Sequence, residues 1–361
     1  MKPTILHFIV DLGRGGAETM LVSTLKELTE YNNIVVIIGD KNEYSDELQC
    51  AGFESMNLRQ SLLIVPKAVF IFRRILKKYR PTLVHSHLPI ANFIARLATP
   101  SSIPLITTLH TLISHDYKKW ILRLIDKTTL LYKPSTILGC AQVVLNDYFS
   151  TLKLNPRNSI LLYNPIRTEK FLKKNNYAYE KPFKLICVGS LKEPKNLPYL
   201  IKAMALLKNK PIELHIFGKG SLHNSLQHQI QESGANVILH DQVTNINEIL
   251  NDYDLFTLSS LWEGFSISVL EAMSSKVPML LSDIPSFREQ AGDGAYYFSL
   301  LDYSDFGRKV EYLMDNQQVR ENLATAAYKR VTENFTLEHH LKSLKQIYSK
   351  TINTKTENKR M

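Results

Sequence analysis

The sequence predicts an α/β protein built from two parallel-sheet domains, and three observations carry that prediction. Short apolar runs alternate with helix-like stretches from end to end, and most intervening stretches can hold the crossover that parallel strands need. At 361 residues the chain exceeds one ordinary domain and suits two. A polar stretch beginning at Asn164-Pro165-Ile166-Arg167 and running through Lys173-Lys174-Asn175-Asn176 to Pro182 divides it near the middle, as a linker would.

In chain order, the first half predicts strands near residues 5–10, 34–38, 82–85, 105–108, 136–138 and 160–162. The first of these runs directly into Asp11 and a glycine cluster, so it is expected to be a strand and not a leader peptide. Segments 69–80 and 117–124 are amphipathic and basic. The second half predicts strands near 185–188, 213–217, 237–239, 255–258 and 278–281. From Thr351 to Met361 the chain is polar, and a disordered tail is expected. No apolar run is long enough to span a bilayer.

Charge and cysteine use narrow the function class. The net charge of +10 lies within residues 67–133, which hold twelve Lys/Arg and two acids, while the other 32 basic and 32 acidic residues cancel. Arg73, Arg74, Lys77, Lys78, Lys118 and Lys119 sit among Phe70, Phe72, Trp120 and Leu124, a combination that suits an anionic membrane surface. Nucleic acid could use the same charge, but no helix-turn-helix, finger or RNA-binding signature accompanies it. Cys50, Cys140 and Cys187 form no CxxC pair, which favours a reduced cytoplasmic setting.

The most informative stretch is Glu263-Gly264-Phe265-Ser266-Ile267-Ser268-Val269-Leu270-Glu271-Ala272-Met273, after the apolar run Leu255-Phe256-Thr257-Leu258. It places one acid at a strand-to-helix turn and another inside the helix. The helix start offers backbone N–H groups and a positive dipole end, and the carboxylates can take hydroxyl hydrogen bonds. Glu-Gly-Phe, seven residues between the acids, Glu-Ala-Met and then Val277-Pro278 resemble the retaining glycosyltransferases of family 4, and the resemblance covers nearly the whole chain. It implies the GT-B fold, two Rossmann-like domains facing across a cleft: an acceptor-binding domain over 1–165, with a helix at 336–350 packing back on it, a nucleotide-sugar domain over 166–335, and a tail over 351–361.

Other motifs acquire roles through that resemblance. Leu12-Gly13-Arg14-Gly15-Gly16-Ala17-Glu18 opens a helix; glycines there allow close approach of an anion. It resembles the family's Gly-Gly-x-Glu turn, which implies donor contacts from Gly15 and Gly16. In Val188-Gly189-Ser190-Leu191-Lys192-Glu193-Pro194-Lys195-Asn196 the resemblance implies that Lys195 holds the diphosphate, with Ser190 where the family usually has arginine. Phe217-Gly218-Lys219-Gly220-Ser221 reads as a structural turn. His110 matches a histidine placed beside the donor sugar. His85 and His87 form a His-x-His pair, but no third ligand completes a motif, so no metal is expected.

The reading is a retaining, metal-independent hexosyltransferase with no cofactor. It takes a nucleotide-diphosphate sugar and a glycan or lipid-linked acceptor, in cell-surface polysaccharide or glycolipid synthesis. It is expected in the cytoplasm, peripheral on the inner face of the cytoplasmic membrane. Glu263, His110 and Lys195 form the catalytic set. Gly15, Gly16, Ser190, Gly264, Phe265, Ser266, Ile267 and Glu271 bind donor. The alternatives are a non-catalytic sugar-nucleotide or membrane-surface binding protein, and an NAD-dependent oxidoreductase, against which Glu18 stands where the dinucleotide fingerprint needs its third glycine. Uridine and guanosine diphosphate sugars both remain open.

Overall fold

The computed structural model describes residues 2–58, 64–117, 119–156 and 158–357. The chain divides into two compact units, Met1–Pro165 with Leu337–Met361, and Ile166–Thr336.

The first unit holds β1 (Thr4–Ile9), β2 (Asn32–Ile37), β3 (Gly52–Ser55), β4 (Leu83–His87), β5 (Leu105–Leu109), β6 (Thr136–Gly139) and β7 (Ser159–Leu161). They form one parallel sheet in the order β3-β2-β1-β4-β5-β6-β7. The second unit holds β8 (Phe183–Val188), β9 (Ile212–Phe217), β10 (Val237–His240), β11 (Leu255–Leu258), β12 (Met279–Ser282) and β13 (Tyr296–Phe298), in the parallel order β10-β9-β8-β11-β12-β13. In each sheet the order reverses once, between β1 and β4 and between β8 and β11. Crossovers leave these strands in opposite directions, which opens a crevice at their carboxyl ends where ligands bind in such sheets.

Each strand expected from the apolar runs is present. Two were not expected: β3 is a half-exposed Gly-Phe-Glu-Ser at a sheet edge, without the continuous apolar run of a strand covered on both faces, and β13 is a Tyr-Tyr-Phe run of only three residues at the edge of the second sheet. The expected linker is not a free tether. Lys174 N–H donates to the Ser275 carbonyl at 2.8 Å and the Tyr177 hydroxyl to the Lys276 carbonyl at 3.0 Å, binding the polar stretch to the second unit.

Helix Val65–Tyr79 turns Ala68, Phe72, Ile75 and Leu76 into the first unit, with Phe72 stacked on Phe8 at 4.2 Å, and leaves its arginines and lysines outside. Arg96 is one exception within the basic region. It is fully buried against Asp126, whose carboxylate also accepts from the Tyr117 hydroxyl at 2.7 Å and the Tyr148 hydroxyl at 2.9 Å.

The last helix, Leu337–Glu357, belongs to the first unit: Leu344, Ile347 and Tyr348 pack with Ile5, Leu28, Leu83, Ile106 and Leu138. It runs through residues 351–357, which were expected to be disordered, because Ile352 packs against the same cluster and continues the apolar stripe. Residues 358–361 of that expected tail lie outside the described residues. Among the described residues no helix is long and apolar enough to cross a membrane.

Candidate functional site

At the reversal point of the second sheet, the turns after β8 and β11 bring Lys195 and Glu263 together. Lys195 lies in the 3₁₀ turn Glu193–Lys195, and its Nζ donates to Glu263 Oε1 at 2.5 Å. Gly189 leaves the lysine room, since a Cβ there would lie 3.1 Å from its Cε. The Ser260 hydroxyl donates to the same carboxylate oxygen at 2.7 Å, and the Ser286 hydroxyl to the Glu263 carbonyl at 2.5 Å. Ser259 in turn donates to the carbonyls of Lys195 and Asn196, both at 3.0 Å. Both ionic side chains keep about one-seventh of their surface exposed, so the pair is largely desolvated yet reachable from solvent.

The two turns are close-packed. A Cβ on Gly218 would sit 1.9 Å from the Gly189 carbonyl oxygen and one on Gly220 2.2 Å from that of Leu191, so Phe217-Gly218-Lys219-Gly220 serves as backbone packing. Ser190, the departure from the family pattern, is exposed beside this turn.

Helix Ile267–Ser274 begins directly beyond Glu263. The expected donor contacts here are backbone ones, from Gly264 to Ile267. The Phe265 side chain is buried edge-to-face against Phe335 at 5.1 Å, so this residue offers a ligand only its backbone. At Ser266 the N–H is already taken by Gln290 Oε1 at 3.0 Å, while Gln290 Nε2 donates back to the Ser266 carbonyl at 2.7 Å. The N–H groups of Ile267 and the next two residues are the ones without an intrahelical partner. Ser260, Ser286 and fully buried Gln290 were not anticipated, since isolated serines and a glutamine carry no signal until the chain is folded.

Glu271 sits one turn into this helix, partly exposed, and its carboxyl has no hydrogen bond or ion pair among the described residues. Crowding by protein, with no cation to offset it, pushes its pKa up to about 8.

In the first unit, Gly15 caps helix Gly16–Leu25 with extended backbone at the reversal point beyond β1, and the Glu18 carboxylate lies against it in space that a Cβ at position 15 would fill. Arg14 is turned away, pairing with Glu47 at 3.1 Å and lying over the Tyr44 ring. Behind this turn is a buried histidine group. His87 Nδ1 and His110 Nε2 are 3.3 Å apart, and His85 contacts the Tyr348 hydroxyl at 2.7 Å and the Thr108 hydroxyl at 2.6 Å. His7 joins His85 and His87, with ring nitrogens within 4.8 Å of one another. The third histidine that the sequence did not reveal therefore comes from the neighbouring strand β1. Both ring nitrogens of His85 are already engaged. Burial holds the pKa of His110 and His7 down to about 4, so both rings are neutral near pH 7.

The basic face is less uniform than its sequence. Arg73, Arg74 and Lys77 are exposed on helix Val65–Tyr79, whereas Lys78 is paired with Glu54 at 2.5 Å and lies over the Tyr79 ring. Lys119 is exposed before helix Trp120–Tyr132, and Lys118 lies outside the described residues.

Comparison with known proteins bears on both units. Residues 14–170 match the sequence model described as Glycosyltransferase Family 4, and residues 168–330 the one described as Glycosyl transferases group 1. The chain is 23% identical over 349 residues to the capsular polysaccharide biosynthesis glycosyltransferase CapM of Staphylococcus aureus, covering 90% of this chain and 87% of that one. It is 26% identical over 286 residues to the UDP-Gal:alpha-D-GlcNAc-diphosphoundecaprenol alpha-1,3-galactosyltransferase of Escherichia coli, covering 72% of each. Among solved structures, Anabaena HepE in complex with UDP and glucose superposes with a TM-score of 0.81 at 16% identity, over 96% of this chain and 99% of that one. Sucrose-phosphate synthase of Thermosynechococcus elongatus superposes with a TM-score of 0.84 at 15% identity, over 98% and 100%.

Proposed function

We propose, for a chain that belongs to glycosyltransferase family 4 and has the GT-B fold, that it moves a hexosyl unit from a nucleotide-diphosphate sugar to a glycan or lipid-linked acceptor with retention of anomeric configuration. Family membership sets aside the oxidoreductase alternative. The relative named for capsular polysaccharide biosynthesis supports a role in cell-surface polysaccharide assembly. The observation that carries the proposal is the Lys195–Glu263 pair at the reversal point of the second sheet, beside an open helix N-terminus.

In this reading Lys195 leaves the carboxylate for the diphosphate, and the helix amides share the charge that develops as the sugar departs. Glu263, released from the lysine but still bound by Ser260, takes hydroxyls of the sugar. The leaving phosphate accepts the acceptor's proton on the same face, since among the described residues no second carboxylate is paired with Glu263 for double displacement. His110, neutral in its buried setting, orients sugar hydroxyls and does not act as an acid. Gly15 and Gly16 are the first unit's candidates for an anionic group. We further assign the protein to the inner face of the cytoplasmic membrane, held there by its basic face. Incubating the protein with a mixture of nucleotide sugars and a lipid-diphosphate acceptor, followed by mass spectrometry and NMR of the product, tests the reading. An inverted anomer refutes the mechanism, and absence of any transfer refutes the activity.

Glu271 is assigned to the nucleotide ribose. Glu271→Ala is expected to weaken nucleoside diphosphate binding by about 1–3 kcal/mol, the scale of a charge-assisted hydrogen bond. Ribose hydroxyls donating to the carboxylate favour its ionised form, so binding should release a proton below pH 8 and tighten as pH rises toward that value. Calorimetry in buffers of different ionisation enthalpy reads both effects; unchanged affinity in the variant places Glu271 outside the site.

Transfer is also expected to survive EDTA at full rate, because the proposed chemistry draws its positive charge from Lys195 and helix amides. Activity that disappears with EDTA and returns only on adding a divalent ion refutes this.

A further inference from the structure

The basic face contains a groove of about 870 Å³. Its walls are the carboxyl ends of three helices of the first unit, Val65–Tyr79, Pro89–Ala98 and Trp120–Tyr132, with the turns that follow them. Five cations line it, Arg73, Arg74, Lys77, Arg80 and Lys133, and no acidic residue does. Phe70 and Tyr132 stand at its edge with 62% and 71% of their surface exposed.

Helix carboxyl ends carry negative dipole charge, so neutralising them is the ordinary use of such cations. That use accounts for only two of the five. Arg73 donates to the Leu97 carbonyl at 3.0 Å, and Lys133 Nζ to the Pro100 carbonyl at 2.9 Å. The side chains of Arg74, Lys77 and Arg80 have no hydrogen bond or ion pair among the described residues. Thr99, only 6% exposed, closes the floor of the groove.

The groove's place in the sheet separates it from transfer chemistry. Arg80 and Pro81 lead into β4, Ser101 and Ile103 into β5, and Tyr132 and Lys133 into β6, so it lies at the amino ends of these strands. Gly15 and His110 follow the carboxyl ends of β1 and β5, about 16 Å away along a five-residue strand. A molecule held in the groove by its phosphate does not present a hydroxyl at that distant end.

We propose that this groove binds the headgroup of an anionic phospholipid, with Arg74, Lys77 and Arg80 on the phosphate and Phe70 and Tyr132 in the interfacial layer. The site is an anchor distinct from the acceptor site, and it rests on the membrane assignment made above. Leu131, beside Tyr132 at the same helix end, is also exposed.

The test is co-sedimentation of the full chain with phosphatidylcholine vesicles, with and without phosphatidylglycerol. Three forms are compared: wild type, Arg74→Ser/Lys77→Ser/Arg80→Ser, and a control that loses the same charge elsewhere, Lys170→Ser/Lys208→Ser/Lys342→Ser. The expected result is binding of wild type and control to phosphatidylglycerol vesicles only. The groove triple variant should bind at least about tenfold more weakly. Transfer to a soluble acceptor should be equal in all three. If the groove variant sediments like the control, the groove inference falls and the membrane assignment stands. If wild type ignores anionic vesicles even at low salt, both fall. Equal binding to neutral vesicles also overturns headgroup recognition, leaving apolar contact alone.

Discussion

Replacing Glu263 with alanine is expected to lower the turnover number for sugar transfer by about two to three orders of magnitude, the scale for removing one pre-positioned polar group from a transition state. Nucleoside diphosphate affinity should stay within about threefold of wild type or improve. The reason lies in what the carboxylate holds. In the unliganded geometry Glu263 accepts from Lys195 at 2.5 Å and from Ser260 at 2.7 Å. Its removal frees Lys195, which strengthens any diphosphate contact and weakens none, while the sugar hydroxyls lose their acceptor. Lys195→Ala should show the opposite split, with nucleoside diphosphate affinity and turnover falling together. Steady-state kinetics beside calorimetric titration of the diphosphate distinguishes the two. A Glu263→Ala protein that loses diphosphate affinity in proportion to its activity would show that the carboxylate orders the nucleotide site and not the sugar.

Acidification from pH 7.5 to 5 should unfold the first unit before the second. His7, His110 and His340 are buried with folded pKa values held down to about 4, against about 6.5 in the unfolded chain. His85 and His87 are pushed below 6.5 by the same burial, with their histidine neighbours adding to it. For each group the unfolded chain takes up a proton first, so its contribution is complete above pH 6.5 and is lost progressively down to pH 4. At pH 5 the cost is about 2 kcal/mol for each of the first three, not strictly additive because they are neighbours. Set against a total of about 5–15 kcal/mol for a typical domain, that is a large fraction. Glu271 in the second unit has the opposite sign. Its folded pKa of about 8 lies above the ordinary carboxyl value, so acidification between pH 8 and about 4.5 favours the folded state. Hydrogen exchange with mass spectrometry at pH 7.5, 6 and 5, corrected for intrinsic rates, is the direct measurement. Protection should be lost first in β1, β4 and helix Leu337–Glu357, where the histidines and Tyr348 meet. Earlier loss from β8 and β11 would contradict the assignment.

These expectations draw on two kinds of information. The sequence by itself determined the fold class, because strands covered on both faces of a parallel sheet must be continuous apolar runs, and eleven such runs are legible. It also made Glu263, Lys195 and Gly15 candidates, through motifs that resemble the family's, and the three lie in the turns that follow β11, β8 and β1. It did not show β3 and β13, which are too short or too exposed to carry that pattern.

Only the tertiary structure decided which groups touch. Ser286 and Gln290 reach the Glu263–Ser266 turn from 23 and 24 residues away, and His7 reaches His85 from another strand, distances over which no periodicity operates. Tertiary packing also assigned the charges. Arg96 disappears into the core with Asp126, Lys78 is neutralised by Glu54, and Arg74, Lys77 and Arg80 remain unpaired along one groove. Composition counts all of these as equal positive charges. Their roles differ because ion pairing and desolvation depend on neighbours that the folded chain brings from other parts of the sequence.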